Sequence, residues 1–298
     1  MGQIKIFTFE KYHGKRDIGS TRIRVHNLIK HWDEADLYNY GDKADVMIYQ
    51  KVYASYNYKL PLTYPAIKIL DICDPDFKDT PDIFIKQTMD AMDAVVVPTE
   101  PFKTFLQQMT DTPVHIIKDR FDLTEFPEKK VHTGKAKTIV WYGYAHNVGG
   151  LKLAMPSIEK RGLKLHVVAN SDPTPYRMCM DSRKYGEEMY TFAKYEHPSA
   201  YKEIQKGDIC VLPPTNRPFD MFKSENKTII SQLLGVPVAT NAEELDALME
   251  ADQRNTAIDT IYDKIREEYD CVQSVIQYKQ IIEDIKNANR KEGVSKRS

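Results

Sequence analysis

The sequence predicts an α/β protein of two Rossmann-like domains facing one another across a cleft. Three observations carry that expectation. Short runs of β-branched and aromatic residues alternate with segments of helical spacing along 298 residues, a length that holds two ordinary domains. A strand, a glycine-bearing loop and a helix open the chain, and the same order restarts after a polar stretch at 131–137. The strands are of the buried type expected of parallel sheets covered on both faces.

In the first half, Ile4–Phe9 is a strand and Lys11–Ser20 a polar loop with two glycines. A helix follows, running through Arg22, Ile23, Val25, Leu28 and Ile29 to about Trp32 with the i, i+3 and i+4 apolar spacing of an amphipathic helix. Ala44–Gln50 and Ala66–Leu70 are further strands, separated by a loop rich in Tyr and Lys. Asp82–Met92 is a helix, Ala94–Thr99 a strand, Glu100–Met109 a helix and Val114–Ile117 the last strand of this half. The domains expected are residues 1–133 and 134–260, with 261–298 forming a C-terminal helix that packs back on the first domain and a basic tail.

In the second half, Thr138–Tyr142 is a strand, Gly143–Gly150 a loop and Leu151–Lys160 a helix. Strands are expected at Leu165–Ala169, Tyr190–Phe192, Gly207–Pro213 and Val236–Ala239, with a short helix at Ser199–Gln205. Helical spacing returns at Ala242–Ala251 and over one long segment, Tyr262–Asn287.

The totals exclude several classes of function. A formal net charge of −1 gives no global field favouring nucleic acid or a membrane surface. Four scattered cysteines (Cys73, Cys179, Cys210 and Cys271) without a C-x-x-C pair fit neither a zinc site nor a disulfide framework. No apolar run reaches the length of a transmembrane segment, and the N-terminus lacks the pattern of a signal peptide, so a cytoplasmic location is expected. Neither GxGxxG nor a Walker A sequence occurs, which argues against a standard dinucleotide or P-loop ATPase domain.

Open α/β sheets place ligands beyond the C-terminal ends of their strands. The loops there are Gly19–Arg24, Asp71–Asp76, Gly143–Asn147, Pro213–Arg217 and Lys223–Lys227. The last opens the stretch FKSENKTIISQLLGVPVAT, Phe222–Thr240. Ser224 or Asn226 can cap its helix, and the lysines at the helix's positive end suit a phosphate. If that helix begins early enough, Lys223 and Lys227 lie on one face and reach the same anion. An ordinary capped helix with a solvated charged face is the competing reading. Asp71, Asp74 and Asp76 can hold a cation, orient sugar hydroxyls or supply a base, or simply form a turn. His146, and His13 near the first loop, are weaker candidates for ligand contact.

Together these motifs resemble the GT-B glycosyltransferases, family 4-like members above all. Phe222–Thr240 is similar to that family's KSxNK…GxPV segment, Gly19–Arg24 to its first strand-to-helix loop and Asp71–Asp76 to its acidic acceptor-side loop. Ala94–Thr99, Val114–Phe126, Trp141–Gly143 with His146 and Asn147, and Gly207–Pro213 match further segments in the same order.

The resemblance implies transfer of a sugar from a UDP- or GDP-linked donor to a hydroxyl, with no resident cofactor and no metal. It places Asp74 and Lys223 in catalytic roles. The donor falls to Gly19, Ser20, Arg24, Gly143, His146, Asn147, Pro213, Ser224, Asn226 and Lys227. The acceptor is left open among a glycan, a lipid-linked sugar and a modified nucleic-acid base. Ile230 departs from the pattern, because the family carries a ribose-binding glutamate there. A non-catalytic nucleotide- or sugar-binding protein of this fold is therefore the alternative.

Overall fold

The computed structural model describes residues 2–9, 18–54, 59–78, 82–173, 189–214 and 219–295. The chain divides into two compact units. The first takes in Met1–Asp122, Pro218–Ser224 and Tyr269–Ser298, and the second Leu123–Arg217 and Glu225–Glu268.

The first unit holds a six-stranded parallel sheet: β1 (Ile4–Thr8), β2 (Ala35–Leu37), β3 (Val46–Gln50), β4 (Ile67–Asp71), β5 (Ala94–Val97) and β6 (Val114–Ile116). Their order is β2-β1-β3-β4-β5-β6, so the topological switch point lies between β1 and β3. Successive side chains of a strand take opposite faces, and both faces here are apolar. Ile4, Ile6, Val46 and Ile48 pack on one side with Val25, Leu28 and Trp32 and with Val275, Tyr278 and Ile282 of the C-terminal helix. Met47, Tyr49, Val95 and Val97 pack on the other with Ile85, Met89, Phe102 and Leu106. Phe222 joins that second layer, its ring stacked 5.3 Å from Phe102 and tilted against Phe105 at 5.1 Å.

The second unit holds a five-stranded parallel sheet: β7 (Thr138–Gly143), β8 (Lys164–Ala169), β9 (Tyr190–Lys194), β10 (Ile209–Val211) and β11 (Val238–Ala239). The order β11-β10-β7-β8-β9 puts its switch point between β7 and β10. Ile139, Trp141, Leu165, Val167, Ile209 and Val211 form its core with Val148, Leu151, Ile158 and Leu245.

Several elements differ from those expected, and two were not expected. The edge strand β2 has only three residues and no alternation, and pairing with β1 creates it. The first helix runs as Gly19–Thr21, a π turn at Arg22–His26, and Asn27–Lys30. A short helix, Leu60–Thr63 with Pro61 near its start, lies in the Tyr- and Lys-rich loop. The glycine loop after β7 winds as a 3-10 segment, Ala145–Leu153, leaving only Met155–Lys160 as α-helix.

Ala242–Ala251 ends early, at Ala247. A separate helix, Ala251–Asp259, begins where Glu250 and Gln253 form a capping box. The long C-terminal helix is two, Tyr262–Glu268 and Cys271–Ser295. Phe121 interrupts it: its N–H donates to the Tyr269 carbonyl and its carbonyl accepts from Cys271, both at 2.9 Å. His13, Asn216 and Arg217 lie outside the described residues.

Candidate functional site

At the second switch point, β7 ends in Trp141-Tyr142-Gly143, and the chain leaves β10 through Leu212 and Pro213. The next helix, Asn226–Leu233, starts beside them. Its first N–H groups have no partner within the helix, and no side chain caps it. Helix geometry therefore gives this end a partial positive charge.

Lys227, in the first turn, adds a full one. Its ammonium lies 5.2 Å from the centre of the Trp141 ring, a cation–π contact. A Cβ at Gly143 would stand 2.8 Å from that Nζ, so only glycine leaves the place the ammonium occupies. The Tyr142 hydroxyl donates to the Lys227 carbonyl and accepts from Ser231 Oγ at 3.2 Å, fixing the helix to β7. Burial holds that phenol's pKa well above its ordinary value.

The turn beyond β7 is held by its backbone. Ala145 N–H donates to Asn170 Oδ1 at 2.8 Å, and Asn147 N–H to the Tyr144 carbonyl at 2.9 Å. His146 is exposed, and Asn147 is half-buried. Pro213 lines a pocket of about 230 Å³ with Leu153, Val211, Thr240 and Leu245. Asn170, at the end of β8, went unnoticed in the sequence; its place directly after a buried strand was the available signal.

The expected pairing of Lys223 and Lys227 on one helical face does not form. Lys223 precedes the helix in extended backbone (φ −85°, ψ 149°), and its ammonium is 3.6 Å from Asp220. The N-cap is Glu225, so neither Ser224 nor Asn226 caps. Ser224 Oγ is buried without a hydrogen-bond partner. Ile230, where the resemblance expects glutamate, is 5% exposed and packs in the interior.

The first unit treats its candidates differently. Arg24 is 2% exposed and is wholly engaged inside the unit. Its Nη2 and Nε bond both Asp71 oxygens at 2.9 Å, and its Nη1 bonds the Ile117 carbonyl at 2.6 Å and Asp119 at 3.2 Å. Tyr278 completes the network, donating to Asp71 at 2.7 Å. Arg24 is thus an ion-pair residue whose guanidinium is engaged by Asp71, Asp119 and the Ile117 carbonyl. Gly19 and Ser20 open the helix, half-buried, and a Cβ at Gly19 would meet nothing within 4 Å. No close backbone approach requires glycine there.

Asp74 and Asp76 share a partner that the sequence did not single out. Lys51 follows β3 at the first switch point with a left-handed backbone (φ 56°). Its ammonium lies 2.9 Å from Asp74 and 3.1 Å from Asp76. Tyr53 also donates to Asp76, at 2.7 Å. Burial works against the Lys51 charge, but Cys73, Asp74 and Asp76 outweigh it and hold the lysine protonated. Burial likewise raises the Asp76 pKa against the pull of Lys51 and Tyr53. Among the described residues, no three His, Cys, Asp or Glu side chains are grouped to hold a metal ion. No helix among them is long and apolar enough to cross a membrane.

No protein-family model and no curated protein sequence matches the chain. Solved structures do. TarM superposes with a TM-score of 0.60 at 13% identity, covering 79% of this chain and 54% of its own. The pneumococcal O-GlcNAc transferase GtfA, in complex with UDP and GlcNAc, gives 0.53 at 10%, covering 80% and 56%. AviGT4, a glycosyltransferase involved in avilamycin A biosynthesis, gives 0.56 at 10%, covering 94% and 97%. The chain thus spans about half the length of TarM and GtfA and nearly all of AviGT4. Two parallel α/β sheets in this order, matched over most of the chain, identify its fold as that of the GT-B glycosyltransferases.

Proposed function

We propose that the chain is a glycosyltransferase that moves a sugar from a UDP- or GDP-linked donor to a hydroxyl acceptor. The observation that carries this reading is the Lys227 ammonium lodged against Gly143 and Trp141 at the start of an uncapped helix. As the bond to the sugar breaks, negative charge grows on the departing diphosphate. A preorganised ammonium and helix N–H groups stabilise that charge more in the transition state than in the ground state. UDP in the GtfA complex is in keeping with such a donor. Asn226 and Ser224 are proposed to contact the phosphates or ribose.

On the acceptor side, Asp74 is proposed to orient the incoming hydroxyl. Lys51 engages its Oδ2, which leaves Oδ1 to accept from a hydroxyl. The acceptor class (glycan, lipid-linked sugar or modified nucleic-acid base) is left to a turnover screen. Buried Ile230 favours a second reading, a nucleotide-binding protein without turnover, because it supplies no acceptor for ribose hydroxyls.

Calorimetric titration with UDP and GDP tests the site. Lys227→Ala should weaken the nucleotide by at least tenfold, the scale of one charge-assisted contact, and leave the melting temperature within about 2 °C. Lys223→Ala should weaken it less. Equal affinity in wild type and Lys227→Ala would refute the donor site. Tight binding without hydrolysis or transfer over an acceptor panel would favour the second reading.

A further inference from the structure

Tyr144 directly follows Gly143, the residue against which the Lys227 ammonium rests. The residue is 49% exposed. Beside it lies the exposed ring of His146, with centroids 5.7 Å apart and planes 21° from parallel. Both residues sit on backbone tied down at Ala145 and Asn147, so the turn that carries the two rings is set before any ligand arrives.

Large apolar area left in water is unfavourable, and Tyr144 is not among the residues that form the buried core of the unit. A flat ring already stacked in parallel extends most naturally by a third flat ring. Sugars offer no π-face, whereas every nucleobase does.

We infer that Tyr144, braced by His146, is the surface on which the base of the bound nucleoside diphosphate stacks. The inference rests on the donor-site reading above and adds the feature that would distinguish a nucleotide from a bare diphosphate. Stacking of this kind tolerates either pyrimidine or purine, so both UDP and GDP are expected to use it.

The full chain, Tyr144→Ala and Tyr144→Phe are titrated with UDP, GDP and inorganic diphosphate, with thermal melts confirming folding. Tyr144→Ala should bind both nucleotides about tenfold more weakly and inorganic diphosphate unchanged. Tyr144→Phe, which keeps the ring, should match wild type. Undiminished nucleotide affinity in Tyr144→Ala overturns the inference. So does an equal loss for inorganic diphosphate, which would mean that the residue only shapes the loop. Failure of the donor-site reading shows separately, as diphosphate affinity that Lys227→Ala does not change. Absence of binding by all three probes to the wild type would overturn both.

Discussion

The ammonium of Lys227 stands 2.8 Å from the point that a Cβ on Gly143 would occupy. The two residues come from different elements, and the close approach works only because one has no side chain. Gly143 also has φ +153°, which side-chain-bearing residues rarely adopt.

Gly143→Ala should therefore do two things. The flexible lysine end can swing away, so the fold survives with a melting temperature lowered by a few degrees. The displaced ammonium no longer meets the diphosphate, and UDP or GDP affinity should fall about tenfold. Thermal melting and calorimetry on the same preparation read both. Wild-type affinity in this variant would show that the position of Lys227 against Gly143 has no bearing on binding.

How much of this was legible in the sequence depends on what creates each feature. All five strands of the second sheet could be read: buried runs such as Ile139–Tyr142 and Leu165–Ala169 carry their own signal, and part-exposed Tyr190–Phe192 a weaker one. The break between Tyr262–Glu268 and Cys271–Ser295 could not, because Phe121, about 150 residues earlier, makes it by pairing with the backbone around Asp270. Ser224 and Asn226 are both good capping residues, so composition could not fix the start of the helix. The backbone places that start at Asn226 and so separates Lys223 from Lys227. Lys51 bears on Asp74 only through a left-handed backbone that no local pattern announces.

Arg24 shows the same limit and gives a second prediction. Its partners Asp71 and Asp119 lie 47 and 95 residues away, so a helical arginine near a glycine loop looked like an anion contact. Arg24→Met should take the guanidinium away from buried Asp71 and Asp119 and destabilise the first unit by about 3–5 kcal/mol in denaturant unfolding. Adding Asp71→Leu should cost less than the sum of the two single changes, because a charge is removed with its partner. Nucleotide affinity, measured where Arg24→Met remains folded, should be unchanged. A selective loss of affinity would restore the arginine to the donor site.

His132 sets an acid limit on the second unit. It is 3% exposed, its Nε2 is 2.8 Å from the Gly235 carbonyl, and its Nδ1 has no partner. Gly235 itself is pinned, since a Cβ there would stand 2.5 Å from the backbone nitrogen of Lys130. Burial lowers the imidazole pKa to about 4. The Gly235 carbonyl opposes that shift, while Lys130 and Arg254 add to it.

The sign follows from the unfolded chain, in which histidine titrates near its ordinary 6.5. Below that value the unfolded chain takes up a proton that the folded chain refuses, so acid favours unfolding. The stability held by neutral His132 is thus complete above about pH 6.5 and is lost as pH falls towards about 4, by on the order of 2–3 kcal/mol. Urea unfolding of wild type and His132→Gln between pH 4 and 8 reads this directly. The variant should be less stable at pH 8, but its stability should fall less steeply between pH 6.5 and 4. Parallel pH profiles would assign the acid sensitivity to other groups, the first of them His166, whose pKa burial also lowers.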